Sequence, residues 1–282
     1  MTQQSALLLL LVCTFFGCTK EEPKGKVVFQ SNRDGNFEIY SINDDGMNLH
    51  RLTNSPSYEV SPSWSPGGSQ ILFASDRGGN WDVYVMNADG SNPGRLTMPP
   101  GSNTSPCWAM GGKKILFVST RDVMTGELYM MNADGSGVER LTNDGSVKDS
   151  PQMSPDGMGV VYIVNNGQRS MLMFLNVSDK SMRSPAFSSG NCVAPGFSPD
   201  GSLVIFASDR DGMMAAYEMA SSGGEPRKLT KSSDEVRTPS YGSSAKQILY
   251  SKNGSVCMLS LESNKEKILS NKGDFAPRWT SN

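Results

Sequence analysis

Residues that could do chemistry are few in this chain. There is one histidine, His50, next to Arg51. A Ser-His-Asp triad would have to recruit it, and no Gly-x-Ser-x-Gly elbow accompanies it. The same count excludes a zinc centre built from clustered His and Cys. The Asp-Gly loops Asn43-Asp44-Asp45-Gly46, Asn87-Ala88-Asp89-Gly90 and Asn132-Ala133-Asp134-Gly135 offer carboxylates. They lack the alternating oxygens and the position-twelve Glu of a calcium loop. They read as hairpin turns with a left-handed Gly. We therefore expect no catalytic set, no metal site and no cofactor.

The remaining candidates share one register. Three residues before a recurring Pro stand Glu59, Asn103, Lys148, Cys192, Val236 and Asp274, and Asp149 and Glu235 add charge beside them. If these segments open on a common channel, Glu59, Asn103, Lys148, Asp149, Glu235 and Asp274 line one mouth with mixed, mainly acidic charge. Such a rim suits a cation, a basic peptide segment or a polar ligand. Glu59 and Asp274 fall in adjacent units. At the separation of roughly 5–9 Å used by glycosidase carboxylates they would support hydrolysis. That keeps a carbohydrate- or peptide-active enzyme, or a ligand sensor, as the alternative to a binding module.

The elements that must hold these residues repeat. An apolar burst returns at Val27-Val28-Phe29, Ile71-Leu72-Phe73, Ile115-Leu116-Phe117, Val160-Val161-Tyr162, Val204-Ile205-Phe206 and Ile248-Leu249-Tyr250. The spacing of about 44 residues is that of a β-propeller blade. In the second copy, Ile71–Ser75 reads as a buried strand and Asp76–Asn80 as a turn. Trp81–Met86 is a second strand, Asn87–Ser91 a hairpin loop, and Gly94–Thr97 a short outer strand. Arg-Leu-Thr recurs at residues 51–53, 95–97 and 140–142, and decays to Arg183-Ser184-Pro185 in the fourth copy. A Pro-x-aromatic strand recurs at Pro62/Trp64, Pro106/Trp108, Pro195/Phe197, Pro239/Tyr241 and Pro277/Trp279. These aromatics should pack between blades and not stack sugars. The Asp76/Arg77, Asp209/Arg210 and Asn32/Arg33 loops recur in register and predict blade-to-blade struts.

The first copy has no Pro-x-Trp strand before Val27, and the chain ends just after an orphan one, Phe275–Trp279. Pairing the last strand with the first blade closes the ring and removes two open edges. The expectation is an all-β, six-bladed β-propeller of four-stranded blades over residues 26–282.

Ile-x-Phe-Ala-Ser-Asp-Arg, Asp-Val-Tyr-Val-Met-Asn-Ala-Asp-Gly-Ser, Arg-Leu-Thr and Pro-x-Trp together resemble the TolB-like propeller repeat, and residues 70–108 carry most of it. The resemblance implies a non-enzymatic envelope module. Its implied partner is an envelope protein such as a peptidoglycan-associated lipoprotein, or a cell-wall polymer. The chain has no room for the α/β domain that precedes the propeller in TolB, so the resemblance does not extend to assembly with a whole Tol-type machinery. Function at this level rests on analogy, since one propeller serves many activities.

The N-terminus differs from everything that follows. Ala6–Phe16 is apolar and ends at Gly17-Cys18, which resembles a lipobox. This implies a lipoprotein signal peptide over 1–17, acylation of Cys18 and a polar tether over 18–25. The site is then the periplasmic side of the outer membrane, held by a lipid anchor. A net charge of −2 without any Lys/Arg run argues against nucleic acid. Cys107, Cys192 and Cys257 remain, an odd number in three different copies, and are expected as buried small hydrophobes. A monomer is expected.

Overall fold

The computed structural model describes residues 25–185, 189–231 and 235–279. The leader and Cys18 lie outside the described residues. Six four-stranded antiparallel sheets form the ring of a propeller. Blade 2 shows the plan: an inner strand Glu59–Trp64, then Gln70–Ser75, then Asp82–Asn87, then a two-residue outer strand Gly94–Arg95. The inner strands of blades 3 to 6 are Asn103–Ala109, Val147–Met153, Cys192–Phe197 and Val236–Tyr241. Blade 1 takes its inner strand, Asp274–Trp279, from the other end of the sequence, where it pairs with Lys26–Ser31. The ring closes as the repeat pattern predicts.

The apolar bursts are second strands with both faces covered. Phe29, Phe73, Phe117 and Phe206 are wholly buried, as are Tyr162 and, to within a trace, Tyr250. Alternate residues serve different neighbours, because side chains of a strand leave on opposite faces. Val28 and Ile39 of blade 1 join Trp64, Ile71 and Phe73 of blade 2, while Leu72 and Val83 of blade 2 join Ile115 and Phe117 of blade 3. The hydrophobic core is thus a set of layers between blades. The Pro-x-aromatic residues belong to it: Trp64 is buried there, and the Trp108 indole also donates to the Ser63 carbonyl of blade 2 at 3.2 Å. Cys107, Cys192 and Cys257 are buried thiols without disulfides.

The Asp-Gly loops are hairpin turns, with Gly46, Gly90 and Gly135 at φ 80°, 87° and 87°. Gly90 has a second constraint: a Cβ there would stand 2.4 Å from the Leu52 carbonyl of the previous blade. The Arg-Leu-Thr element is a clasp. The Thr53, Thr97 and Thr142 hydroxyls accept from the third-strand amides of Ile39, Val83 and Leu128 at 2.8, 2.9 and 3.0 Å. The Arg51, Arg95 and Arg140 Nε atoms donate back to the carbonyls of those threonines.

Every inner strand breaks register just before its proline. Ser61, Ser105, Ser150, Ala194, Thr238 and Ala276 all sit at φ between 49° and 55°. Pairing with the second strand is offset at the same place, as in the slip between Val60 and Ser63. A left-handed non-Gly residue costs about 1–2 kcal/mol. Its recurrence in all six blades marks it as part of the design: the bulge bends the strand at the channel. Proline is tolerated there because the inner strand is a sheet edge with no partner on the channel side.

Candidate functional site

Antiparallel order puts three features on one face of the disc: the starts of the inner strands, the loops from second to third strand, and the exits of the outer strands. This is the mouth that carries the candidate residues. Counting back from the bulge, the residue three before each proline turns into the blade, and the residue two before it turns toward solvent.

Glu59, Asn103, Lys148 and Asp274 are all three before a proline, and all four side chains are buried. Arg77 donates to Glu59 at 2.8 Å, Arg33 to Asp274 at 2.5 Å and Arg121 to Asn103 at 3.1 Å. Each arginine lies over the two aromatic rings of its own blade, Arg77 at 5.4 Å from Phe73 and 4.9 Å from Tyr84. The arginine is therefore first a pin inside its own blade, and of the expected blade-to-blade struts Arg33 also makes one, donating to the Ser270 hydroxyl of blade 6 at 2.7 Å. The reason is topological: the loop bearing Arg77 and the start at Glu59 flank the same second strand, so the guanidinium reaches its own inner strand first.

The link between blades is made by the first residue of the third strand, which the repeat reading missed. Asp82 accepts from Asn103 of the next blade at 3.0 Å, and Glu127 meets Lys148 of the next blade at 2.8 Å. Lys148 also pairs with Asp144 at 2.5 Å. Burial alone would raise the Glu127 carboxyl, but hydrogen bonds from Lys148, Thr142 and Gly145 outweigh it and hold it below its ordinary value. At the first junction two acids meet, Glu38 and Glu59. Burial and the neighbouring Glu38 raise Glu59. Glu38, although buried, is lowered by bonds from Thr53 and Ser55. Glu38 Oε2 has no hydrogen-bond donor of its own, which a proton on Glu59 would supply. Glu59 and Asp274 are each closed off from solvent in an ion pair, and so do not present a free acid and base to a substrate.

The outward residues two before each proline are Val60, Thr104, Asp149, Val193, Arg237 and Phe275. Asp149 is exposed, accepting from the Ser105 hydroxyl and the Ser150 amide, both at 2.7 Å. Exposed Glu235 pairs with Arg237 at 2.5 Å. On the blade 1–2 side the mouth carries rings beside its charged loops. Phe37 packs at 5.9 Å from Phe275 and 6.4 Å from Tyr58, and Tyr58 is 48% exposed. These aromatics have no counterpart in most copies, and that departure from the repeat was the signal available in the sequence.

A family model described as the TolB beta propeller domain matches residues 20–192. The Tol-Pal system protein TolB of Geobacter sulfurreducens is 43% identical over 47 residues, 17% of this chain and 11% of that protein. A protein TolB homolog of Chlorobium chlorochromatii is 46% identical over 46 residues, 16% of this chain and 10% of that protein. The aligned stretch thus spans about a tenth of these relatives. The crystal structure of TolB from Acinetobacter baumannii superposes with a TM-score of 0.80. It does so at 18% identity, over 92% of this chain and 67% of that one, a likeness of fold.

Proposed function

This chain belongs to the TolB β-propeller family, and from that premise we propose that it is a non-enzymatic interaction module that docks an envelope protein or cell-wall polymer on its mouth face. The observation that carries the reading is the partly exposed trio Phe37, Tyr58 and Phe275, beside a rim that includes Asp149, Glu235 and Arg237. Solvent-facing rings clustered at a concave mouth fit the anchors of an interface, with charge around them. The Geobacter relative's name places that protein in a Tol-Pal system, which supports a partner such as a peptidoglycan-associated lipoprotein. Acylated Cys18 and the tether over 18–25 would hold the disc on the periplasmic side of the outer membrane as a monomer.

Affinity capture from detergent-solubilised envelopes tests the docking. Tyr58→Ser and Phe275→Ser should cut recovery of the bound partner at least tenfold, about 1.4 kcal/mol. Met158→Ser, on the opposite face, should not. Equal recovery by all three proteins would overturn the reading, as would turnover of a glycan or peptide that depends on Glu59 and Asp274. Labelled fatty acid should enter the wild-type chain and not Cys18→Ala.

A further inference from the structure

We propose that the neck of the central channel is a binding site for one halide-sized monovalent anion, held by Arg278. The residue after each proline is Ser63, Cys107, Gln152, Gly196, Ser240 or Arg278, so only blade 1 places a charge there. A cavity of about 40 Å³ occupies the neck, and its lining includes Arg278, Ser61, Ser63, Ser105, Ser150 and Gln152. A cavity of roughly 10–15 Å³ already holds one water, so the space is large enough for a small ion.

Arg278 carries its charge into the neck without an acidic partner among the described residues. Its guanidinium donates to the Pro277 carbonyl at 3.1 Å, and among the described residues no carboxylate forms an ion pair with it. This sets it apart from Arg33, Arg51, Arg77, Arg95 and Arg140, each paired with a buried acid. Asp149, on the mouth side, is held by Ser105 and Ser150. The nearby Cys107 thiol is pushed up to about 12 by burial and is neutral. Arg278 is part-exposed, and the protein crowded around it lowers its guanidinium below the ordinary value. A part-exposed cation in a narrow channel, with no carboxylate paired to it among the described residues, draws a small anion from solvent. The Ser105 hydroxyl is given to Asp149, so the other serines of the lining and the Gln152 amide are the donors that a halide could accept from.

Crystals of the wild-type chain soaked in sodium bromide give the direct test. An anomalous peak within about 3.5 Å of the guanidinium is expected, given ordinary N–H contact lengths. A neck holding only water, or the chain's own terminal carboxylate on Arg278, would overturn the site. In solution, replacing gluconate by chloride at constant ionic strength should raise the wild-type melting temperature, and Arg278→Met should abolish that difference. An unchanged chloride response in Arg278→Met would refute the assignment. Should that variant not fold, the bromide peak in the wild type decides alone.

Discussion

The sharpest energetic prediction concerns the junction between blades 3 and 4. Lys148 and Glu127 are both 0% exposed in their side chains, so solvent screening does not weaken their interaction. Lys148→Met should leave the Glu127 carboxylate with the longer Arg140 contact at 3.4 Å and the hydrogen bonds from Thr142 and Gly145. Removing one partner of a buried pair costs about 3–5 kcal/mol. Glu127→Leu alone should cost less, because Lys148 keeps its 2.5 Å contact with Asp144, which is part-exposed. The double variant should recover much of the loss. Apolar replacement of a buried ion pair is often neutral or better, and the next two junctions already use Met171 with Cys192 and Ala215 with Val236 at these register positions. The loss that persists is the hydrogen bonds from Thr142 and Gly145 to Glu127, about 1 kcal/mol each. We therefore expect a coupling energy of about 2–3 kcal/mol, within the range for contacting residues. Equilibrium urea unfolding, followed by tryptophan fluorescence, measures it. The pH profile adds a check. Glu127 is lowered, so its contribution is present above its unfolded value and lost as pH falls through the folded one. Lys148→Met should shrink that acid-side loss, because Thr142 and Gly145 still hydrogen-bond the carboxylate. The reasoning fails if Lys148→Met costs under about 1 kcal/mol, or if the two single losses simply add.

Three further outcomes follow from the same geometry. Glu59 is raised, so it weakens the fold as pH climbs through its unfolded value, and the penalty is complete above the folded one. Glu59→Gln would donate to Glu38 Oε2 as Asn103 does to Asp82, and should stabilise by about 1 kcal/mol at pH 8 and little at pH 4. A loss at pH 8 in urea titrations would contradict this. Gly90→Ala should cost over about 2 kcal/mol, from left-handed strain plus the Leu52 contact. Gly79→Ala, at φ 89° with open space around it, should cost about 1 kcal/mol in the same melting assay. Deleting residues 274–282 should expose the edge of Lys26–Ser31 and remove the acid that pairs with Arg33, giving aggregation in light scattering where the full chain is monodisperse.

The propeller is legible in the sequence because its cause is local and repeated. A burst such as Ile71-Leu72-Phe73 can be read as a buried strand wherever it stands, and the orphan strand at Phe275–Trp279 has only one vacancy to fill. The mouth is harder to read because its geometry depends on phase. Glu59 and Asp149 look alike as charged residues before a proline, yet Glu59 is three before it and buried, while Asp149 is two before it and exposed. The left-handed residue between them and the channel shifts the alternation, and nothing in Ser61 or Ala276 as a residue type announces φ near 50°. The junction acids were invisible for a different reason. Glu38, Asp82 and Glu127 hold the same place in only three copies, so the repeat does not flag them, and their partners lie in the next blade.

The closure of blade 1 also determines how the disc bears load. Lys26–Ser31 is hydrogen-bonded on both sides, to Glu38–Asn43 and to Asp274–Trp279, antiparallel in each case. Tension arriving through the residues before Lys26 runs along that strand, so both ladders are loaded lengthwise and must yield together. Pulling from the outer strand His50–Arg51, which holds to its neighbour by two residue pairs, would instead peel the blade one bond at a time. A pull from upstream of Lys26 is therefore met by a strand held on both sides. Single-molecule extension from residue 25 should need several times the force required from residue 51.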